Sequence, residues 1–298
     1  GVDGQTVGNI AENCRSIEAI ANRIQSDGSF ELTQIETQGT RVFSAGSATV
    51  EEETATSFTL GAVFTPESVE GLSVALDFYD IKIEDAIRLP SVSLSLDRCF
   101  DVSGASFDAS CNGDVLRDAR SGAALEVDVV SNNEDTIETS GLDIEASYLF
   151  DGLGAGDLTL SLVGNVLTKY EITGSAGDTV DRKGEVLFPE YQVNLNADYS
   201  VADFSLFAQM RYRDATVDRN DNPILNDNLN DIDASFLVDL RASYQVSDGV
   251  VVYLGANNVF DEEPPEMGFS HQYRNVGTTN AAFDVVGRQI FAGVSASF

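Results

Sequence analysis

Apolar and polar residues alternate with a period of two through most of the chain after residue 53. From Asp284 to Phe298 (DVVGRQIFAGVSASF), Ile290, Ala292, Val294, Ala296 and Phe298 share one face. Gln289, Phe291, Gly293, Ser295 and Ser297 share the other. This is a strand between two different environments. Phe58, Leu60, Ala62 and Phe64 open the series, and Leu72, Val74, Leu76 and Phe78 answer them across a short turn at Pro66–Gly71. Leu142, Ile144, Ala146, Tyr148 and Phe150 face one way while Asp143, Glu145 and Ser147 face the other. Leu158, Leu160, Leu162, Gly164 and Val166 continue the pattern. Tyr191, Val193, Leu195, Ala197 and Tyr199 alternate with Gln192, Asn194, Asn196 and Asp198. Phe204 to Arg213, Phe236 to Gln245 and Val250 to Ala256 repeat the theme. The result is about nine strands.

The connections are alternately short and long. Short turns fall near 67–70, 151–156, 201–203 and 247–249, and long ones span 88–135, 174–186, 217–231 and 257–282. Alternating strands with short turns at one end and long loops at the other are the pattern of an outer-membrane β-barrel, whose short turns are periplasmic. The last strand then runs downward and the C-terminus is periplasmic. Aromatic residues fall near both ends of the strands, with Phe64, Tyr148, Tyr199 and Tyr244 below and Phe58, Tyr191, Tyr212 and Phe236 above, as interfacial girdles require. No apolar run approaches the length of a membrane-spanning helix. The expected fold is all-β, a transmembrane antiparallel barrel over 54–298. Residues 1–53 hold no sustained apolar strand and read as an extracellular loop region, with a short helix over Cys14–Ile24 carrying Ile17, Ile20 and Ile24 at helical spacing. Leu125–Val130 reads as a small extramembrane strand. An odd number of strands, starting outside and ending inside, does not close a single-chain barrel, and an open edge is not tolerated in lipid. The pattern therefore points to the C-terminal part of a larger barrel.

Several stretches resemble the TonB-dependent receptors of the outer membrane. ETATSFTLGAVFTPESVEGLSVALDFYDIKIEDAI (53–87) looks like their late-barrel hairpin, with Asp77, Tyr79, Asp80 and Ile81–Ile83 matching its aspartate–aromatic–aspartate–isoleucine pattern. TSGLDIEASYLF (139–150) resembles the next strand, and GANNVFDEEPP (255–265) and the closing GRQIFAGVSASF (287–298) resemble the family's C-terminal marks. The resemblance implies a barrel of 22 strands, of which this chain supplies about the last nine. It also implies an N-terminal plug, absent from these residues, that contacts TonB. The implied function is TonB-dependent active import of a scarce solute, such as a siderophore, cobalamin or oligosaccharide. The implied partners are TonB with its inner-membrane energising complex, the remaining barrel and plug, membrane lipid and a small solute ligand.

Charge and candidate chemistry change this picture little. There are 49 acidic and 17 basic residues, a formal net charge of −32, which repels nucleic acid and suits solvated loops. Cys99 and Cys111 sit in one long loop, and their spacing fits a loop-clamping disulfide in an oxidising compartment. Cys14 is left over, either free or paired outside these residues. His271, the single histidine, makes a poor zinc site alone. Asp221, Asp227, Asp231 and Asp233 lack the fixed spacing of a calcium loop. Asp198, Arg211, Asp239 and Arg241 fall on inward faces of successive strands, where pairing across neighbours is expected. No nucleophile motif stands out. No catalytic, cofactor-binding or metal residue is assigned, and no enzyme activity or cofactor is expected. The competing reading is a small self-contained outer-membrane pore or surface protein, which needs a tenth strand within residues 40–50.

Overall fold

A computed structural model describes residues 8–90, 92–102, 114–174, 179–218, 231–267 and 282–297. The chain divides into two compact units, Gly1–Thr54 with Glu84–Asp135, and Ala55–Ile83 with Thr136–Phe298.

The first unit is a small α/β assembly. Its helices are α1 (Gly8–Ser16), α2 (Glu18–Asp27), α3 (Gln34–Gln38) and α4 (Val92–Phe100). Its strands are β1 (Arg41–Ala45), β4 (Val115–Arg117) and β5 (Ala124–Val130), in the order β1-β5-β4. The expected extramembrane strand at Leu125–Val130 is therefore β5, and its alternation buries Val127 and Val129. The single helix expected over Cys14–Ile24 is two helices, because Ile17 takes extended backbone between them. The segment before residue 54 carries a strand as well, β1. Local periodicity misses its order because β1, exposed along its whole length, gains its partner from β5 in parallel register, Arg41 opposite Glu126 and Ala45 opposite Val130. A strand does lie within 40–50, as the self-contained pore needs, but it belongs to this sheet and not to the large one.

Arg23 ties the first unit together. It donates to Glu36 Oε1 at 2.8 Å, to the Glu31 carbonyl at 2.6 Å and to the Ser121 carbonyl at 3.2 Å. Glu36 in turn closes a capping box with Thr33 at the start of α3. These contacts hold the Glu36 carboxyl down at about 2 against its ordinary value of 4.5, the Arg23 hydrogen bond contributing most and the Thr33 backbone and hydroxyl next. Asn13, fully buried, donates to the carbonyls of Phe100 and Val102 at 2.8 and 2.7 Å, so α1 and the end of α4 share one polar anchor.

The second unit is an antiparallel meander. Its strands are β2 (Thr54–Phe64), β3 (Leu72–Arg88), β6 (Asn132–Leu153), β7 (Gly156–Thr173), β9 (Tyr191–Val201), β10 (Phe204–Arg213), β13 (Ser235–Ser247), β14 (Val250–Asn257) and β15 (Gln289–Ala296). They lie side by side in chain order from β2 to β15, with β8 (Thr179–Asp181) added beside β7. A separate two-stranded sheet joins β11 (Thr216–Val217) to β12 (Asp231–Ile232). The four short turns fall where the alternation breaks. At Asp248–Gly249 the chain reverses with Gly249 at φ +77° and a register irregularity at Gln245/Ser247, a left-handed position that costs glycine little.

Register turns the one-dimensional alternation into two chemically distinct faces. Tyr148, Leu160, Ala197, Ala208, Leu240, Ala256 and Ile290 form one continuous apolar row across seven strands. A parallel row runs Phe150, Leu158, Tyr199, Leu206, Ala242, Leu254 and Ala292. These residues do not make a core: Leu254 is 59% and Ile290 73% exposed, as is Val294 on the same face at 67%. An apolar face this large, left open, is what a bilayer covers and water does not. No helix among the described residues is long and apolar enough to cross a membrane.

Candidate functional site: the polar face and its pocket

The opposite face carries the polar chemistry. Ser147, Ser161, Asn196, Gln209 and Asp239 share one row, and Asn194, Arg211 and Leu237 share the next. Gln192, Arg213 and Ser235 follow beyond it. Neighbouring strands are stitched by side chains on this face. Gln209 donates to Asn196 Oδ1 at 2.9 Å, and Asn165 donates to Asp143 Oδ1 at 2.7 Å. Gly293 lies under the Tyr253 ring, where any side chain would collide with it, so an aromatic covers the bare backbone of the edge strand.

Of the four inward charges expected to pair, the structure brings together two. Arg211 Nη2 donates to Asp239 Oδ2 at 3.1 Å, a diagonal contact between β10 and β13. Arg241 lies over the Tyr253 ring, 4.5 Å from its centroid. Asp198 stands opposite Thr159 and Phe207, so the ladder does not extend to it. Asp239 has a second task. Its Oδ1 accepts the backbone N–H of Asn258 at 2.8 Å. Asn258, buried and at φ +50°, donates through Nδ2 to the Glu262 carbonyl and accepts the Glu262 N–H, both at 2.9 Å. The segment after β14 is thereby folded back and pinned to the sheet. Asp261 pins its other end by accepting the Arg288 N–H at 2.7 Å.

Beneath this segment lies a cavity of about 220 Å³. Its floor is Gln192 and Asn194 of β9, Arg211 and Arg213 of β10, and Ser235 and Leu237 of β13. Its roof is Glu262–Pro265 together with Ala282–Asp284. A small apolar cluster of Val186, Ile232, Met267 and Phe283 joins the long connections on this side. Arg213 reaches into it, donating to the Val186 carbonyl and stacking over Phe283 at 5.4 Å. Its Nε and that of Arg211 are buried with no hydrogen-bond partner among the described residues. The alternation placed Gln192, Asn194, Arg211 and Arg213 on this face, but not under a roof. Nothing local in the sequence brings Glu262 or Phe283 over them.

The other candidates do not converge. Asp231 and Asp233 are exposed, while Asp221, Asp227 and His271 lie outside the described residues. Among the described residues no group of three metal-ligating side chains comes together. Cys14 is a free thiol, raised from its ordinary value by burial, and no two described cysteines sit at bonding distance. Cys99 is buried, and its expected partner Cys111 lies outside the described residues.

Comparison with known proteins agrees with this architecture. The family model for the TonB dependent receptor-like β-barrel matches residues 10–259. The chain belongs to that family, which comprises outer-membrane barrel receptors and not catalytic enzymes. No curated protein sequence matches the chain. Among solved structures, a mutant of the ferric enterobactin receptor PfeA of Pseudomonas aeruginosa in complex with enterobactin is similar over 86% of this chain and 33% of its own, at 17% identity and a TM-score of 0.58. The siderophore receptor PirA of Acinetobacter baumannii is similar over 86% and 33%, at 14% identity and a TM-score of 0.56. The FrpB iron transporter of Neisseria meningitidis is similar over the same shares, 86% and 33%, at 15% identity and a TM-score of 0.55. The chain thus spans about a third of the length of these structures, whose shared feature with it is the fold.

Proposed function

We propose that the chain is the C-terminal part of a TonB-dependent importer that moves a scarce solute across the outer membrane. The observation that carries this is the nine-strand meander with an exposed apolar face and a polar opposite face, within a family match over 10–259. The strands are about the last nine of 22. Their apolar face meets lipid, their polar face lines the lumen, and the short turns and the C-terminus are periplasmic. A span needs about 9–11 tilted residues, so β3, β6 and β7, at 17, 22 and 18 residues, continue outward beyond the bilayer. The segments that build the first unit, before β2 and between β3 and β6, are extracellular.

Edge strands β2 and β15 each have one neighbour among the described residues. Strands elsewhere in the same receptor complete them, because lipid tolerates no open edge. A plug within that barrel contacts TonB. The similar structures are siderophore receptors and an iron transporter, which favours a siderophore over cobalamin or an oligosaccharide. Cys99 and Cys111 form a disulfide in the segment between β3 and β6; the export route is oxidising and Cys14 is free. Uptake measured in cells lacking this receptor, and in cells lacking TonB, tests the function. Loss of uptake of the same solute in both is expected. Passive uptake that survives without TonB would promote the self-contained pore instead.

A further inference from the structure

The pocket under the Glu262–Pro265 segment has opposite charge at its two ends. On its floor, Arg211 and Arg213 are two residues apart on one face of β10, about 7 Å along the strand. Each has a buried Nε–H with no acceptor among the described residues, and both residues belong to the lining of the cavity. A buried guanidinium donor left unpaired is costly, so something in the working protein accepts from it. Gln192 and Asn194 add amide donors beside them. At the solvent-facing edge of the roof, by contrast, Glu262, Glu263 and Asp284 are exposed. This rim repels a simple anion and leaves a simple cation unmatched at the floor.

We infer that this pocket is a subsite for a zwitterionic small molecule or substituent, its anionic oxygens on the Arg211 and Arg213 floor and its cationic nitrogen at the Glu262–Glu263 rim. The inference rests on the import reading above and names the chemistry of the solute that this part of the lumen accepts. The guanidinium fork suits carboxylate or phosphate oxygens. A cavity of about 220 Å³ suits a short acyclic chain.

Three probes of matched length separate the possibilities: 6-aminohexanoate, adipate and hexane-1,6-diamine, titrated calorimetrically into the intact detergent-solubilised receptor at pH 7 and low salt. Expected is binding of 6-aminohexanoate at least about tenfold tighter than either other probe, a difference of ~1.4 kcal/mol. Arg213→Gln should abolish that binding, and Glu262→Gln with Glu263→Gln should bring adipate level with 6-aminohexanoate. If Arg213→Gln fails to fold, Arg213→Lys keeps the charge without the planar fork and should still weaken binding about tenfold. Equal or tighter binding of adipate or the diamine to the unaltered receptor overturns the inference. So does an absence of 6-aminohexanoate binding, as when the plug fills the pocket, or a folded Arg213 variant that binds unchanged. TonB-dependent uptake that persists without probe binding would remove this inference alone, whereas probe binding without TonB-dependent uptake would remove the import reading alone.

Discussion

Replacing Asp239 by alanine removes one carboxylate that serves two partners. Its Oδ2 holds Arg211 at 3.1 Å and its Oδ1 holds the Asn258 N–H at 2.8 Å. A hydrogen bond to a charged group contributes about 1.5–3 kcal/mol, and leaving a buried N–H without an acceptor costs about 1–3 kcal/mol. The Arg211 side chain is 36% exposed and recovers part of its loss from water, whereas Asn258 is 2% exposed and does not. The expected destabilisation is therefore about 2–4 kcal/mol, at the lower edge of what breaking a buried pair costs. Asp239→Asn retains an acceptor for Asn258 and should cost about 1–2 kcal/mol. The assay is a urea titration of the intact receptor in detergent, reading the shift in midpoint at constant slope. A double-mutant cycle with Arg211→Met should return a coupling of about 1–2 kcal/mol. Because Asn258 also organises the Glu262 turn, Asp239→Ala should loosen that turn, seen as faster amide exchange at Glu262. A loss below about 0.5 kcal/mol, within the range of an ordinary surface change, or a coupling near zero would refute the claim that this carboxylate pins the segment to the sheet.

Leu254→Arg, on the exposed apolar face, should cost up to about 2–4 kcal/mol near the bilayer midplane, while Ser243→Arg on the polar face of the adjacent strand should cost far less; equal losses in folded, heat-modifiable protein would deny that the two faces meet different solvents. Glu36 has its carboxyl held below the ordinary value, so its support of α3 is complete above about pH 4.5 and is lost as pH falls through about 2. Amide exchange at Glu36 and Gly39 should rise over that window, and Glu36→Gln should remove the dependence. Non-reducing digestion and mass spectrometry should find Cys99 joined to Cys111. Cys14, whose thiol is raised by burial, should alkylate more slowly at pH 8 than an exposed cysteine; Cys14 found in the bridge instead would contradict both expectations.

What the chain determined by itself is the direction of its side chains. Alternation is a local property of extended backbone, so Leu160, Ala208, Leu240 and Ile290 could be assigned to one face, and Asn194, Arg211 and Asp239 to the other, without knowing any neighbour. The short turns were legible for the same reason, since Asp248–Gly249 marks a reversal wherever it occurs. Tertiary structure decided what those directions meet. Cross-strand register, set by turn lengths and bulges, put Arg211 diagonal to Asp239 and Arg241 over Tyr253, and left Asp198 opposite Phe207. β1 alternates too weakly to declare itself, and becomes a strand by pairing with β5, whose residues lie 85 positions later. The pocket is non-local in the same way. Its floor comes from three strands in register and its roof from two segments held by Asn258 and Asp261. A period of two encodes which face a residue takes, but hydrogen bonds between distant segments decide which residues share that face at contact distance.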